Sequence, residues 1–242
     1  MTQQDADLRV VLSGSRLADA ASSYARNGIL RIADLFPADV AEALYHHLDT
    51  EVEWWRAVSE AENAWDLAPG MIAAMDGGKE RELIAAVHKS ASQGFQFLFD
   101  SVIVSDDAAE RKARGMLVDR LVEALNHPSS LETFRAITGE PDIRLVNGQA
   151  TRYLPGHFLT SHDDGIDGED RVAAYVINLS QGWRTDWGGL LQFHNPAGDI
   201  QLALKPGFNA MHLFRVPRMH SVSYIAPFAE VPRYAITGWL RR

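Results

Sequence analysis

The sequence predicts an α+β fold with a mainly β core, in which a jelly roll packs against a helical N-terminal half. The pattern changes near residue 140: the chain before that point reads mostly as helices, and the chain after it as short strands separated by Gly, Pro, Asn and Asp clusters. The C-terminal part shows no strand–helix–strand alternation, which argues against a doubly wound sheet. No linker divides the 242 residues, so we expect a single domain over 1–242, with 1–140 as the mostly helical part and 141–242 as the jelly-roll core.

The N-terminal part is predicted to hold helices and one short strand, the apolar segment 28–32. The Ala-rich first helix stops at Gly28, a residue type that commonly ends helices. Pro37 opens a second helix, because apolar residues recur every four positions after it. The other predicted helices cover 79–99, 108–125 and 131–137.

The C-terminal part contains seven short runs rich in β-branched and aromatic residues. Turn residues separate them at close spacing, which is typical of an all-β sandwich or barrel. The runs cover 149–153, 171–179, 189–194, 200–204, 210–214, 220–225 and 233–240.

Composition excludes several classes of function. The chain has no Cys, so disulfides, thiolate metal sites, iron–sulfur clusters and a cysteine nucleophile are ruled out. Its net charge of −9 disfavours general nucleic-acid binding. No apolar run approaches the length of a membrane span, and the polar start lacks the features of a secretory signal. We therefore expect a cytoplasmic protein that binds neither nucleic acid nor a membrane, and the sequence leaves its oligomeric state open.

Three residues form a candidate metal site: His162 and Asp164, two positions apart, and the distant His220. Two imidazoles and one carboxylate form the facial triad of non-haem iron(II) sites, which leaves the opposite face of the metal open. In an extended segment residues i and i+2 point the same way, so His162 and Asp164 can reach one metal. The similar pair His47 and Asp49 lies in a predicted helix, where i and i+2 diverge, and His47 is expected on a solvated helix face.

The surroundings of this triad resemble a 2-oxoglutarate- and iron(II)-dependent dioxygenase of the prolyl 4-hydroxylase-like branch, whose fold is a double-stranded β-helix, or jelly roll. The resemblance covers about 145–241 in order and spacing, and the segment 28–48 is similar to the family's opening strand and helix. The middle, 51–140, matches no pattern, and its role stays open. The matching elements are Tyr153, His162-x-Asp164, Asn178-Leu179, Gly188-Gly189, Pro206-Gly207, His220-x-Val222, Arg233 and Gly238-Trp239.

The resemblance implies roles for six residues. His162, Asp164 and His220 would ligate iron(II). Arg233 would bind the distal carboxylate of 2-oxoglutarate, a task that suits a planar guanidinium. Tyr153 and Asn178 would face the cosubstrate.

The implied activity is an oxidoreductase reaction of the EC 1.14.11 type, a dioxygenase reaction that uses Fe(II), 2-oxoglutarate and O2, with ascorbate as an optional reductant. It would hydroxylate an unactivated C–H bond and release succinate and CO2.

Three alternatives for function stay open from the sequence. The first is a prolyl hydroxylase-like enzyme that acts on a peptidyl or protein proline. The second is a hydroxylase of a free amino acid or another small molecule, and the shape of the site should separate these two. The third is a metal-binding jelly-roll module without turnover, against which the complete triad and Arg233 argue. His212, in an apolar strand, is expected to be a satisfied core or wall residue.

Overall fold

A computed structural model of the chain describes residues 7–165 and 168–242. It confirms the predicted α+β jelly roll: the strands form one curled sheet in the order β1-β11-β8-β13-β6-β4-β7-β12-β9-β10, while β2, β3 and β5 attach at its margins. All the strand pairs are antiparallel. The strands are β1 Ile29–Ala33, β2 Trp55–Glu60, β3 Asn63–Leu67, β4 Phe97–Val104, β5 Leu145–Val146, β6 Gly148–Tyr153, β7 Phe158–His162, β8 Arg171–Asn178, β9 Leu191–His194, β10 Ile200–Leu204, β11 Ala210–Arg215, β12 His220–Val222 and β13 Arg233–Arg241.

The helices lie mostly before the jelly-roll strands. In the described residues they are α1 Gly14–Asn27, α2 Ala38–Thr50, α3 Pro69–Ala73, α4 Gly77–Ala91, α5 Ala108–Arg114, α6 Leu117–Leu125 and α7 Pro128–Thr138, with a short 3₁₀ turn at Thr185–Trp187. Gly28 ends α1 in the left-handed conformation with φ 63°, as its residue type predicts. Among the helices of the described residues, none combines the length and the apolar character that a membrane span requires.

Side chains of the central strands alternate between two hydrophobic cores, one on each face of the sheet. In β8, Tyr175 and Ile177 pack toward the helices, whereas Ala174 and Val176 face the interior of the jelly roll. Across that interior the rings of Phe193 on β9 and Phe214 on β11 meet edge to face at 5.1 Å. The helical layer therefore supports one wall of the jelly roll from outside, and the inside is left for the site.

The N-terminal part holds more strand than the sequence predicts. The helix predicted over 79–99 ends at Ala91, and β4 begins at Phe97, because Gly94 interrupts the helical pattern and a run of apolar and β-branched residues follows it. The helix predicted over 108–125 is two helices, since Gly115 adopts φ 67° between them. The hairpin of β2 and β3 pairs with β4 and so extends the sheet.

Strand β4 joins the two walls of the jelly roll. Its end from Asp100 to Val104 pairs with β6, and its start at Phe97 and Leu98 pairs with β7. A segment outside the predicted core thus forms part of the barrel. This pairing places the aromatic residues at the start of β4 beside the strand that carries His162.

Candidate metal centre

The three predicted metal ligands come together on the inside of the jelly roll. One donor atom from each of His162, Asp164 and His220 lies within 4.8 Å of the others. The Nε2 of His162 is 3.5 Å from Asp164 Oδ1, and the Nε2 of His220 is 3.4 Å from Asp164 Oδ2. The two imidazole rings stand 4.2 Å apart between centroids. This arrangement presents two nitrogens and a carboxylate toward one point.

Hydrogen bonds to the backbone orient both imidazoles. Nδ1 of His162 lies 2.9 Å from the Thr160 carbonyl oxygen, and Nδ1 of His220 lies 2.8 Å from the Arg218 carbonyl oxygen. Because a carbonyl oxygen only accepts, each Nδ1 must carry the hydrogen, which assigns the lone pair to Nε2. Both lone pairs therefore point toward Asp164, as metal-binding histidines require.

Strand pairing and a β-bulge bring these residues together. His220, the first residue of β12, pairs directly with His162 at the end of β7. Val222 pairs with Leu159, so two residues of β7 stand opposite the single Ser221. In a regular strand Leu159 and His162, three positions apart, would face opposite sides, and the bulge returns them to the same side.

The protonation states of the triad suit a cation. Burial acts to raise the pKa of Asp164, but the neighbouring His162 and His220 outweigh it, so the pKa lies below its ordinary value. Burial, followed by the nearby His162, lowers the pKa of His220 to about 4. The resting cluster is thus a carboxylate beside a neutral imidazole at His220, the state in which each binds a cation.

Arg233 opens β13 and is buried in the same interior, with 2% of its surface exposed. Its Nε has no hydrogen-bond partner, and no carboxylate among the described residues forms an ion pair with it. Its guanidinium lies 5.1 Å from the ring centroid of Tyr153, the residue with which it pairs across to β6. Burial lowers the pKa of Arg233, yet an arginine stays charged in proteins. A buried, unpaired cation calls for an anionic ligand.

Tyr153 is buried against the aromatic start of β4. Its ring stacks on Phe99 with 5.2 Å between centroids. Burial raises the pKa of Tyr153, opposed only in part by the charge of Arg233, so its hydroxyl remains protonated. That hydroxyl makes no hydrogen bond with a described residue, and it is a potential donor to a ligand in the cavity.

Asn178 lies deeper than the sequence suggests. Its amide nitrogen donates to the backbone carbonyls of Val176 and Ala210, and its carbonyl oxygen has no partner. Its amide nitrogen is also 3.4 Å from Nδ1 of His212, whose Nε2 is buried without a partner, so His212 is less satisfied than we expect from its apolar strand. Asn178 therefore joins β8 to β11 rather than lining the cavity.

A cavity of about 240 Å³ contains the triad, Tyr153 and Arg233. Its other described lining residues are apolar or uncharged, among them Phe97, Phe99 and Trp239. A larger open groove of about 550 Å³ shares two wall residues with this cavity but is lined by none of the triad, so the chemistry belongs to the smaller one.

The sequence analysis missed two features of the site, the aromatic start of β4 and a contact of Arg171. Phe97 and Phe99 were assigned to the end of a helix, although the β-branched run that follows them was a strand signal. Arg171 was noted only as a strand start, yet its guanidinium stacks 3.6 Å above the ring centroid of Trp239. No spacing rule identifies that contact, because it depends on the pairing of β8 with β13.

Neither His47 nor the tryptophans of the segment 51–140 line the cavity of the triad. His47 is buried on α2 and bonded through Nδ1 to Glu51, so the expectation of a solvated residue was wrong. Trp54 is buried and stacks on Tyr234 in the helix-facing core. Trp55 and Trp65, on β2 and β3, are exposed by 45% and 43%.

The donors present fit iron(II) and 2-oxoglutarate. Two imidazole nitrogens and a carboxylate oxygen suit a divalent first-row metal, and the orphaned buried guanidinium suits a carboxylate. Both lie in one cavity, as a cosubstrate that spans from metal to arginine requires.

Comparison with known proteins agrees with this chemistry. Residues 148–241 match the family model of the 2OG-Fe(II) oxygenase superfamily. No curated protein matches the sequence significantly.

Several solved structures share the fold. A Pseudomonas putida prolyl-4-hydroxylase is 19% identical, with a TM-score of 0.57, over 93% of this chain and 98% of that one. A 2OG-Fe(II) oxygenase family oxidoreductase from Burkholderia pseudomallei is 14% identical, with a TM-score of 0.59, over 96% of this chain and 92% of that one. A Trichoplax adhaerens prolyl hydroxylase, solved with a hypoxia inducible factor peptide fragment, is 14% identical, with a TM-score of 0.56, over 93% of this chain and 88% of that one. At these identities the likeness shows a common fold.

Proposed function

We propose that the chain is a 2OG-Fe(II) oxygenase, whose family model residues 148–241 match, and that it hydroxylates a proline residue within a peptide or protein. The observation that carries the proposal is the single cavity that holds the triad and the unpaired Arg233 and is otherwise uncharged. The reaction consumes 2-oxoglutarate and O2 and yields the alcohol, succinate and CO2.

Each residue of the site has a proposed task. His162, Asp164 and His220 hold iron(II), and their hydrogen-bonded Nδ1 atoms keep both imidazoles in the binding tautomer. Iron(II), when bound with the cosubstrate, supplies the oxidising chemistry for the C–H bond. Arg233 binds the distal carboxylate of 2-oxoglutarate, and the protonated hydroxyl of Tyr153 adds a donor beside it. Asn178 supports this end of the site by joining β8 to β11.

The cavity wall supports a substrate without charge at the reacting group. A free amino acid would bring an ammonium and a carboxylate into a space whose described lining offers only the triad and Arg233 as charged groups. Burying such charges without partners is costly. A proline within a peptide has neither charge, and its ring matches the apolar walls formed by Phe97, Phe99 and Trp239. The solved relatives that are prolyl hydroxylases are consistent with this choice.

The test is incubation of the protein with Fe(II), 2-oxoglutarate and ascorbate, together with either a pool of proline-containing peptides or free proline. We expect succinate release and a mass gain of one oxygen on proline in the peptide arm alone. Asp164→Ala should abolish both signals, whereas His46→Ala, which changes an exposed histidine on α2, should retain them. Turnover of free proline without turnover of peptides would overturn the substrate class. Absence of both metal binding and succinate would overturn the function.

A further inference from the structure

The indole of Trp239 lies beside the carboxylate ligand. Its Nε1 is buried and makes no hydrogen bond of ordinary geometry with a described residue. Trp239 lines the same cavity as Asp164, and its N–H, like the two imidazoles, acts to lower the pKa of that carboxylate against the effect of burial. A buried N–H without a partner is rare in proteins, so this donor is poised for an acceptor.

Arg171 fixes the indole from the other side. Its guanidinium stacks 3.6 Å above the centroid of the Trp239 ring, and it donates from Nη1 to the backbone oxygen of Asp164 at 3.3 Å. Glu169 anchors Arg171 in turn, with 2.8 Å from Nε to Oε2. One arginine thus contacts both the backbone of Asp164 and the face of the indole whose N–H lies near the Asp164 side chain.

We propose that Trp239, held by Arg171, is a positioning residue for the carboxylate ligand, and that its indole N–H donates to Asp164 when a metal ion is bound. In the structure both oxygens of Asp164 are directed at imidazole nitrogens, Oδ1 at His162 and Oδ2 at His220. A cation held there by Asp164 and the two imidazoles would use some of the lone pairs of the carboxylate, and the others would be free to accept from the indole N–H. A donor that holds a ligating carboxylate fixes its orientation, and loss of such a partner commonly lowers metal affinity about 10–100-fold.

This inference rests on the proposed function, because it needs a metal at the triad. The experiment is titration of the metal-free, full-length protein with Mn²⁺, followed by calorimetry and by the electron paramagnetic resonance signal of free Mn²⁺. Trp239→Phe keeps an aromatic ring and removes the N–H, and Trp187→Phe is the control, since it makes the same change in a buried residue that does not line the cavity. Arg171→Lys keeps the charge but loses the planar stack.

We expect Trp239→Phe to raise the Kd for Mn²⁺ about 10-fold or more. Arg171→Lys should raise it less, and Trp187→Phe should leave it unchanged. At saturating Mn²⁺ the Kd for 2-oxoglutarate should stay the same in all three, because Arg233 is intact. The far-ultraviolet circular dichroism and melting temperature of the metal-free variants show whether each is folded. If Trp239→Phe does not fold, the Kd of Arg171→Lys for Mn²⁺ decides the test.

Two outcomes overturn different claims. A Kd for Mn²⁺ within twofold of wild type in folded Trp239→Phe and Arg171→Lys refutes the positioning role and leaves the proposed function standing. A wild-type protein that binds no divalent metal refutes both.

Discussion

Replacement of Arg233 by methionine should have opposite effects on stability and on cosubstrate binding. The metal-free protein buries this guanidinium with 2% exposure and without a carboxylate partner among the described residues. Methionine fills a similar volume without charge. Removing a buried, unpaired charge should stabilise the metal-free protein by about 1–3 kcal/mol. For a chain of this size that corresponds to a rise in Tm of about 3 °C or more.

The same change should abolish tight binding of 2-oxoglutarate. A guanidinium that holds a carboxylate through two charge-assisted hydrogen bonds contributes about 3 kcal/mol at the low end, from about 1.5 kcal/mol for each. Because about 1.4 kcal/mol of binding free energy corresponds to a tenfold change in Kd, the Kd for 2-oxoglutarate should rise at least about 100-fold. The Kd for Mn²⁺ should change less than twofold, because the triad is untouched.

The assay pairs thermal unfolding of the metal-free protein in a chelator with calorimetric titration of 2-oxoglutarate into Mn²⁺-loaded protein. Arg152→Met is the matched control, since Arg152 precedes Tyr153, the strand partner of Arg233, but donates to the buried carboxylate of Asp100 at 2.8 Å. That control should lower Tm and leave 2-oxoglutarate binding intact. A fall in Tm for Arg233→Met with an unchanged Kd for 2-oxoglutarate would make Arg233 a structural residue and refute the reasoning.

Three further results are expected. Burial is the main cause that lowers the pKa of His157 and of His212 to about 4. Below pH 6.5, the ordinary pKa of histidine, the unfolded chain therefore binds more protons than the folded one, and the stability present above that pH should be lost as the pH falls toward 4. Urea unfolding at about pH 7 and at about pH 5 should show a smaller loss of stability in His212→Phe than in wild type. Gly189→Ala adds a methyl 2.9 Å from Cδ of Arg233 at a residue with φ 65°, so it should raise the Kd for 2-oxoglutarate in calorimetry, and an unchanged Kd would contradict the tight packing. Mn²⁺ at about 100 times its Kd should stabilise the wild type by about 2.7 kcal/mol in urea unfolding, and an equal gain in Asp164→Ala would place the metal elsewhere.

The sequence predicted the jelly roll because its strands carry a local signal. Alternation and β-branched content identify a strand such as β8 without knowledge of its partners. The pair His162 and Asp164 was readable from local spacing, since residues two apart in an extended segment point the same way, although β7 itself ends at His162 and Asp164 lies just beyond it. His220 was found through its place in the motif, and its pairing with His162 is a fact of tertiary structure.

What the sequence could not predict depends on contacts between distant strands. Phe97 joins the site because β4 bridges two walls, which no local pattern records. The depth of Asn178 and the unsatisfied nitrogen of His212 follow from the pairing of β8 with β11. The stack of Arg171 on Trp239 likewise needs β8 beside β13. The face of a strand on which a residue lies can therefore be predicted from sequence, whereas its burial and its neighbours on adjacent strands cannot.

The bulge in β7 sets a rule for length variation in this chain. The bulge already absorbs one extra residue between Leu159 and His162, so a one-residue insertion there would send either Leu159 or the imidazole of His162 to the outside of the sheet even if every side chain were kept, whereas a deletion would leave the two residues two positions apart and on the same side. Substitutions at Thr160 or Ser161 alter one side chain and preserve the count. Single-residue insertions should thus weaken metal binding within this segment and leave it intact at the exposed turn 195–199, which links β9 to β10. The spacing of the strand, as much as the identity of its residues, is what the metal centre requires.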